Sequence, residues 1–247
     1  MRGCVHGVVL AILTAVAVTI VPDRADAQFT DSLGGHWNNP GSALLGTMIA
    51  NRMLLKAARK ADPPDNAAPS RPAAPAAPVR TTFRPVATSL MARELAQSMG
   101  SDETTRRDLL RLFDYYLQTF DEQTRKDHED PYDVGRAAAY FVMTNYAVVA
   151  GREPSDQQAD GAQKKFRAGL AENPDFARMS DRDRQRLYET LVILGSLPVT
   201  GLTDARQKKD EGRQQMFRDF ARQNIETLLG VPAEKIRLTQ TGFIIEP

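Results

Sequence analysis

The residue types best suited to chemistry occur together in the run Asp127-His128-Glu129-Asp130-Pro131-Tyr132-Asp133. Carboxylates and an imidazole in one short segment are side chains that bind metal ions. The run lacks the alternating ligand spacing of a calcium loop, however, and Asp130, Pro131 and Asp133 suit an N-cap, a first helical position and an acidic first turn. We therefore predict a turn between two helices, with Asp130 as the N-cap, and no metal ligands.

A second polar candidate lies inside the segment from Tyr132 to Ala150, which is apolar nearly all round. Burying an amide without a partner costs about 1–3 kcal/mol, so the side chain of Asn145 must be hydrogen-bonded. We expect its partner to be a neighbouring helix. A ligand held by Asn145 and Tyr146 is the alternative.

Sequence motifs of catalysis are missing from the chain. It has no phosphate loop, no dinucleotide-binding fingerprint, no HExxH and no GxSxG elbow. Pairs of carboxylates suited to sugar hydrolysis, such as Glu94 with Glu189, have no local signature. We predict no catalytic, cofactor-binding or metal-binding residues and favour a protein that is not an enzyme.

The first 27 residues have the pattern of a secretory signal peptide. Arg2 precedes an apolar run over residues 8–21, and a small-x-small site ends at Ala27. As a helix this run would measure roughly 21 Å, less than the roughly 30 Å of a bilayer core, so we expect cleavage rather than anchoring. The single cysteine, Cys4, would leave with the signal. The remaining protein would be periplasmic or secreted, without disulfides.

A basic amphipathic helix is predicted over residues 43–60, with Ser42 as its N-cap. Its C-terminal half carries four cations and no acid, at Arg52, Lys56, Arg59 and Lys60. These charges suit the helix dipole, and they also suit an anionic membrane surface or an acidic envelope protein. The alternative is that the helix packs on the main domain.

A proline- and alanine-rich linker over residues 61–80 separates this helix from a domain over residues 81–247. The linker would be extended, reaching up to about 60 Å. The whole chain has a net charge of +1. Residues 28–80 hold six basic and three acidic side chains, whereas residues 81–247 hold 24 and 26. The near-neutral total argues against nucleic-acid binding, and the positive excess lies outside the domain.

The domain has helical periodicity throughout. We predict an all-α bundle of about six helices around a central apolar helix, residues 132–150. Ser155 and Ser180 are predicted N-caps, and Pro198 is a predicted helix end. The predicted helices cover residues 86–99, 102–127, 131–150, 156–171, 181–197 and 203–229, followed by a short helix or turn near 233–237 and a strand or docked tail at 243–245.

The chain resembles an exported bacterial helical-domain family of unknown function, in which a signal peptide and a basic, proline-rich segment precede one all-α domain. The resemblance lies in Phe83-Arg84-Pro85, in the stretch from Asp133 to Gly151 and in Leu228-Leu229-Gly230, and would cover residues 83–243. It implies a fold and a compartment but no reaction.

These features together predict an exported, non-enzymatic interaction or accessory module of the cell envelope, tethered through its basic N-terminal helix. The alternatives are a cell-wall hydrolase whose carboxylates are unidentified and a helical bundle that binds a small molecule.

Overall fold

The structure, a computed structural model, describes residues 79–240 and 242–246. The predicted signal, the basic helix at 43–60 and nearly all of the linker lie outside these residues. The described part is helical apart from one C-terminal hairpin, which confirms the all-α prediction. Its elements are α1 (Met91–Met99), α2 (Glu103–Lys126), α3 (Val134–Ala150), α4 (Asp156–Ala171), α5 (Pro174–Ala177), α6 (Asp181–Gln207), α7 (Glu211–Leu229), a 3-10 turn (Ala233–Lys235), β1 (Ile236–Thr239) and β2 (Gly242–Ile245).

Helix α3 is the centre of the bundle, as its apolar sequence predicts. Every residue from Val134 to Asn145 is buried, and α3 packs against α4, α6 and α7. A helix buried on all sides needs apolar residues all round. Among the described helices, none is both long and apolar enough to span a membrane.

Side chains cap the starts of α2, α4 and α6, and two of these caps, Ser155 and Ser180, are the predicted residues. The side chains of Asp102, Ser155 and Ser180 accept hydrogen bonds from the backbone N–H groups of the first turns of α2, α4 and α6. Each bond satisfies an N–H group that has no partner within its helix. These helix starts are therefore determined by local sequence.

The predicted N-cap of α3 at Asp130 is wrong, because the helix begins after Asp133. The Asp133 side chain accepts from the N–H of Gly135 at 2.7 Å. Residues before it are held in another conformation: Tyr132 has a left-handed φ of 61°, and Asp133 forms an antiparallel bridge with Thr82. Pairing with the segment that enters the domain therefore keeps residues 131–133 out of the helix.

The predicted break at Pro198 is also wrong. Helix α6 continues through Pro198 to Gln207, and α7 starts at Glu211 rather than near residue 203. A proline lacks the N–H that would bond to the carbonyl four residues earlier, here that of Leu194. The side chains of Asn145 and Asn224 donate to that carbonyl instead.

The C-terminal residues form an antiparallel hairpin in which Leu238 pairs with Phe243. The Phe243 ring is 2% exposed and lies 5.6 Å from the ring of Phe166 on α4. Residues 243–245, for which the sequence left a strand and a docked tail open, form a strand that also packs on α4. The short helix or turn predicted near 233–237 corresponds to the 3-10 turn.

Close packing of α6 on α7 depends on Gly201. A Cβ atom placed there would overlap the ring of Phe217, which is 1% exposed. We expect Gly201→Ala to lower the free energy of unfolding by about 1–3 kcal/mol through overpacking, despite the better helix propensity of alanine. Denaturant unfolding measures this loss.

Gly212→Ala is the matched control for Gly201→Ala. Its Cβ would lie 3.5 Å from the nearest atom, Oδ1 of Asp210, so stability should be unchanged or slightly higher. Equal losses for the two substitutions would contradict the packing argument.

Candidate functional site

Asn145 lies at a junction of three helices. Its Nδ2 donates to the carbonyl of Phe141 at 2.8 Å and to that of Leu194 on α6 at 3.4 Å. Asn224 on α7 donates through Nδ2 to Asn145 Oδ1 at 3.0 Å and to the Leu194 carbonyl at 3.1 Å. Both asparagines have an exposed fraction of 0%. The structural hydrogen bond expected at Asn145 is therefore present.

The two asparagines compensate for Pro198. They supply N–H donors to the carbonyl that the missing N–H of Pro198 leaves without its helical partner. Sequence reasoning missed Asn224, although a polar amide between the apolar residues Ala221 and Ile225 marks it as a buried polar position.

Tyr146 does not join Asn145 in one site. It is half-buried, and its hydroxyl accepts from Nη2 of Arg152 at 3.3 Å. The Arg152 guanidinium also lies 5.8 Å from the Tyr146 ring centroid. A ligand contact at these two residues stays a prediction, and the structure directs their side chains to different partners.

Asn145, Asn224 and the Leu194 carbonyl form one hydrogen-bonded junction, so we expect the effects of substitutions at the two asparagines to be coupled. We expect Asn145→Leu to lower the free energy of unfolding by about 1–3 kcal/mol, because it leaves Asn224 and the Leu194 carbonyl with fewer partners. Asn224→Leu should have a similar effect. The loss in the double variant should differ clearly from the sum of the two, because either single variant breaks the bond between the amides, whereas only the double variant removes both donors to Leu194. Denaturant unfolding of all four proteins measures the difference. Additive losses would contradict the junction.

Three of the four carboxylates of the run Asp127–Asp133 pair with arginines. Asp127 binds Arg136 at 2.5 Å, and Arg167 on α4 binds Glu129 at 2.7 Å and Asp133 at 2.5 Å. Burial alone would raise the pKa of Glu129, but the hydrogen bond and charge of Arg167 lower it below its usual value. The two ion pairs of Arg167 join the α2–α3 turn to α4, and the pair of Arg136 joins it to α3.

Guanidinium groups lie beside three of the carboxylates of this cluster. Across residues 79–240 and 242–246, no three His, Cys, Asp or Glu side chains are placed to hold a metal ion together. Arg136 and Arg167 occupy the positions beside the carboxylates that a cation would need.

Two side chains of α6 determine where α1 begins. Glu189 Oε2 accepts from the N–H groups of Leu90 at 2.8 Å and Met91 at 2.6 Å. Gln185 Oε1 accepts from the N–H of Val86 at 2.8 Å, and its Nε2 donates to Glu189 Oε1 at 2.7 Å. Because these N–H groups bond to α6, the chain before residue 91 is not helical, and the predicted start at 86 is wrong.

Glu94 and Glu189 both lie where α1 meets α6. Glu94 binds Arg186 at 2.9 Å, while Glu189 is 3% exposed and caps α1. Burial raises the pKa of Glu189, an effect that the backbone hydrogen bond from Met91 partly opposes.

Glu189 predicts an unusual pH dependence of stability. Since its proton binds more tightly in the folded chain, its stabilising contribution is complete below the ordinary pKa of 4.5 and is lost as the pH rises through the raised pKa. We therefore expect Glu189→Gln to cost more free energy of unfolding at about pH 4 than at about pH 7. Denaturant unfolding at both pH values measures the difference.

Asp102 is the control of opposite sign. Hydrogen bonds from Thr105 lower its pKa below 3.8, so its contribution is present above pH 3.8 and is lost as the pH falls through the lowered pKa. Asp102→Asn should cost more at about pH 7 than at about pH 3. The burial argument fails if the free energy of unfolding that each substitution costs changes in the same direction with pH for Glu189→Gln and Asp102→Asn.

A groove of about 420 Å³ runs along α7. Its base is apolar, because Phe217 and Phe220 are buried and Met216 is half-buried. Its rim is polar and exposed. The lining side chains recur every three or four residues along the helix, at Gly212, Gln215, Met216, Phe217, Asp219, Phe220 and Gln223. Such a stripe accepts the apolar side chains of another helix. Sequence reasoning did not identify this surface.

The fold and these contacts define an all-α bundle whose buried polar groups join its helices. The chain belongs to the family of unknown function DUF6683, whose sequence profile matches residues 7–246. The match extends beyond the 83–243 of the motif resemblance and includes the segment that precedes the domain. No curated protein and no solved structure matches the chain.

Proposed function

We propose that this protein is an exported, non-enzymatic accessory module of the cell envelope, which acts by binding and is tethered through its basic segment at residues 43–60. Binding rather than catalysis is supported by the buried polar groups, whose hydrogen bonds and ion pairs are made to other parts of the fold. Asn145 bonds to α6, Glu189 bonds to the start of α1, and three carboxylates of the α2–α3 turn, Asp127, Glu129 and Asp133, bond to arginines of α3 and α4.

The tether is supported by the distribution of charge. Residues 28–80 carry three more basic than acidic side chains, and four of the six cations lie within residues 43–60. A lysine or arginine near an anionic membrane contributes about 1 kcal/mol of attraction. Residues 81–247 carry a net charge of −2 and would not add to this attraction.

Sedimentation with vesicles containing phosphatidylglycerol tests the tether. We expect neutralising Arg52, Lys56, Arg59 and Lys60 to glutamine to weaken vesicle binding at least about tenfold, because about 1 kcal/mol is lost per charge. The binding of the parent should also weaken as salt is added.

The control variant neutralises four exposed arginines of the domain, so that the net charge changes equally. Arg107, Arg111, Arg178 and Arg237 have side chains that are 57%, 73%, 71% and 69% exposed. This variant should bind vesicles like the parent. Equal binding by all three proteins would reject the membrane tether and leave an envelope protein as the partner.

The hydrolase alternative has a direct test of its own. Its carboxylates are unidentified, and Glu189, one of the pair considered, already accepts from Leu90, Met91 and Gln185. Incubation of the protein with purified cell wall should release no fragments. Release of fragments by the parent protein would overturn the non-enzymatic proposal.

A further inference from the structure

We propose that the groove on α7 binds the apolar face of residues 43–60 of the same chain. This inference goes beyond the tether and does not depend on it. It rests on the shape and charge of the groove and on the length of the linker that joins residues 43–60 to the domain.

The groove and the segment match in length and chemistry. From Gly212 to Gln223 the groove covers about three helical turns, roughly 17 Å at 1.5 Å per residue. A helix over residues 43–60 would be roughly 27 Å long. Its apolar side chains would cover three turns or more, at Leu44, Leu45, Met48, Ile49, Met53, Leu54 and Leu55.

The charges are complementary. Asp219 is the one charged residue that lines the groove, and Glu211 precedes the lining residues at the first position of α7. The segment at 43–60 has four cations and no acid. Apolar contact at the base, with cations beside a carboxylate at the rim, is a common arrangement for an amphipathic helix bound in a groove.

The linker is long enough to place the segment there. Where it enters the domain, Nη1 of Arg184 donates to the carbonyls of Arg80 at 3.3 Å and Thr82 at 3.4 Å. Gly201, which packs on Phe217 at the base of the groove, lies roughly 26 Å farther along α6. An extended linker over residues 61–79 reaches up to about 60 Å.

Docking in the groove would compete with membrane binding. The apolar face of residues 43–60 cannot be buried against α7 and in a lipid surface at once, so the groove would hold the segment until a membrane or partner displaces it.

Hydrogen exchange measured by mass spectrometry tests this docking. The sample is the full chain as purified from the cell, in buffer without lipid. A helix of this length is marginal in water by itself, so protection of residues 43–60 requires a contact. We expect their amides to exchange at least about tenfold faster in Met216→Asp, which puts a charge in the groove, than in the parent.

Two further variants make the experiment decisive. Val86→Asp places the same charge on another exposed apolar residue, which is 53% exposed, and should leave exchange at 43–60 unchanged. Gln215→Trp fills the groove from an exposed position without disturbing the core, so it should accelerate exchange at 43–60 even if Met216→Asp fails to fold.

Three outcomes would overturn the proposal. The amides of residues 43–60 could exchange equally fast in the parent and in Gln215→Trp. Their protection could rise with protein concentration, in which case the groove binds a second copy of the chain. Val86→Asp could accelerate exchange as much as the groove variants. None of these outcomes bears on vesicle binding, so the two proposals fail separately.

Discussion

The carbonyl of Leu194 is the point on which the bundle depends. Pro198 deprives it of its helical donor, and the amides of Asn145 on α3 and Asn224 on α7 replace that donor. Leaving such a group unpaired in the core would cost about 1–3 kcal/mol. With the amides in place, α6 continues through the proline, and its last turns carry Gly201 to the ring of Phe217. The position of α7 beside α6 follows from these two contacts.

The opposite end of α6 organises the entry of the chain into the domain. Arg184 binds carbonyls of residues 80 and 82, and Gln185 and Glu189 bind the backbone before and at the start of α1. One long helix therefore holds the entering segment at its first turns and α7 at its last turns. This arrangement sets the distance that the linker must cover if residues 43–60 bind the α7 groove.

Prediction from sequence succeeded where the deciding interaction is local. Ser155 and Ser180 cap helices through bonds to residues within the next turn. It failed where a distant residue changes the local balance. Asp133 rather than Asp130 caps α3 because the bridge to Thr82 holds the preceding residues extended, and α1 starts late because Glu189, about a hundred residues away, takes its first N–H groups.

The sequence by itself determined the helical class, the central position of α3 and the need for a hydrogen bond at Asn145, since each follows from local periodicity or from the cost of burying a polar group. Only the tertiary structure decided that Asn224 meets Asn145, that Pro198 lies inside a helix and that side chains of α7 form a groove. Those features depend on which helix faces lie next to one another, and that is determined by packing between residues distant in the chain.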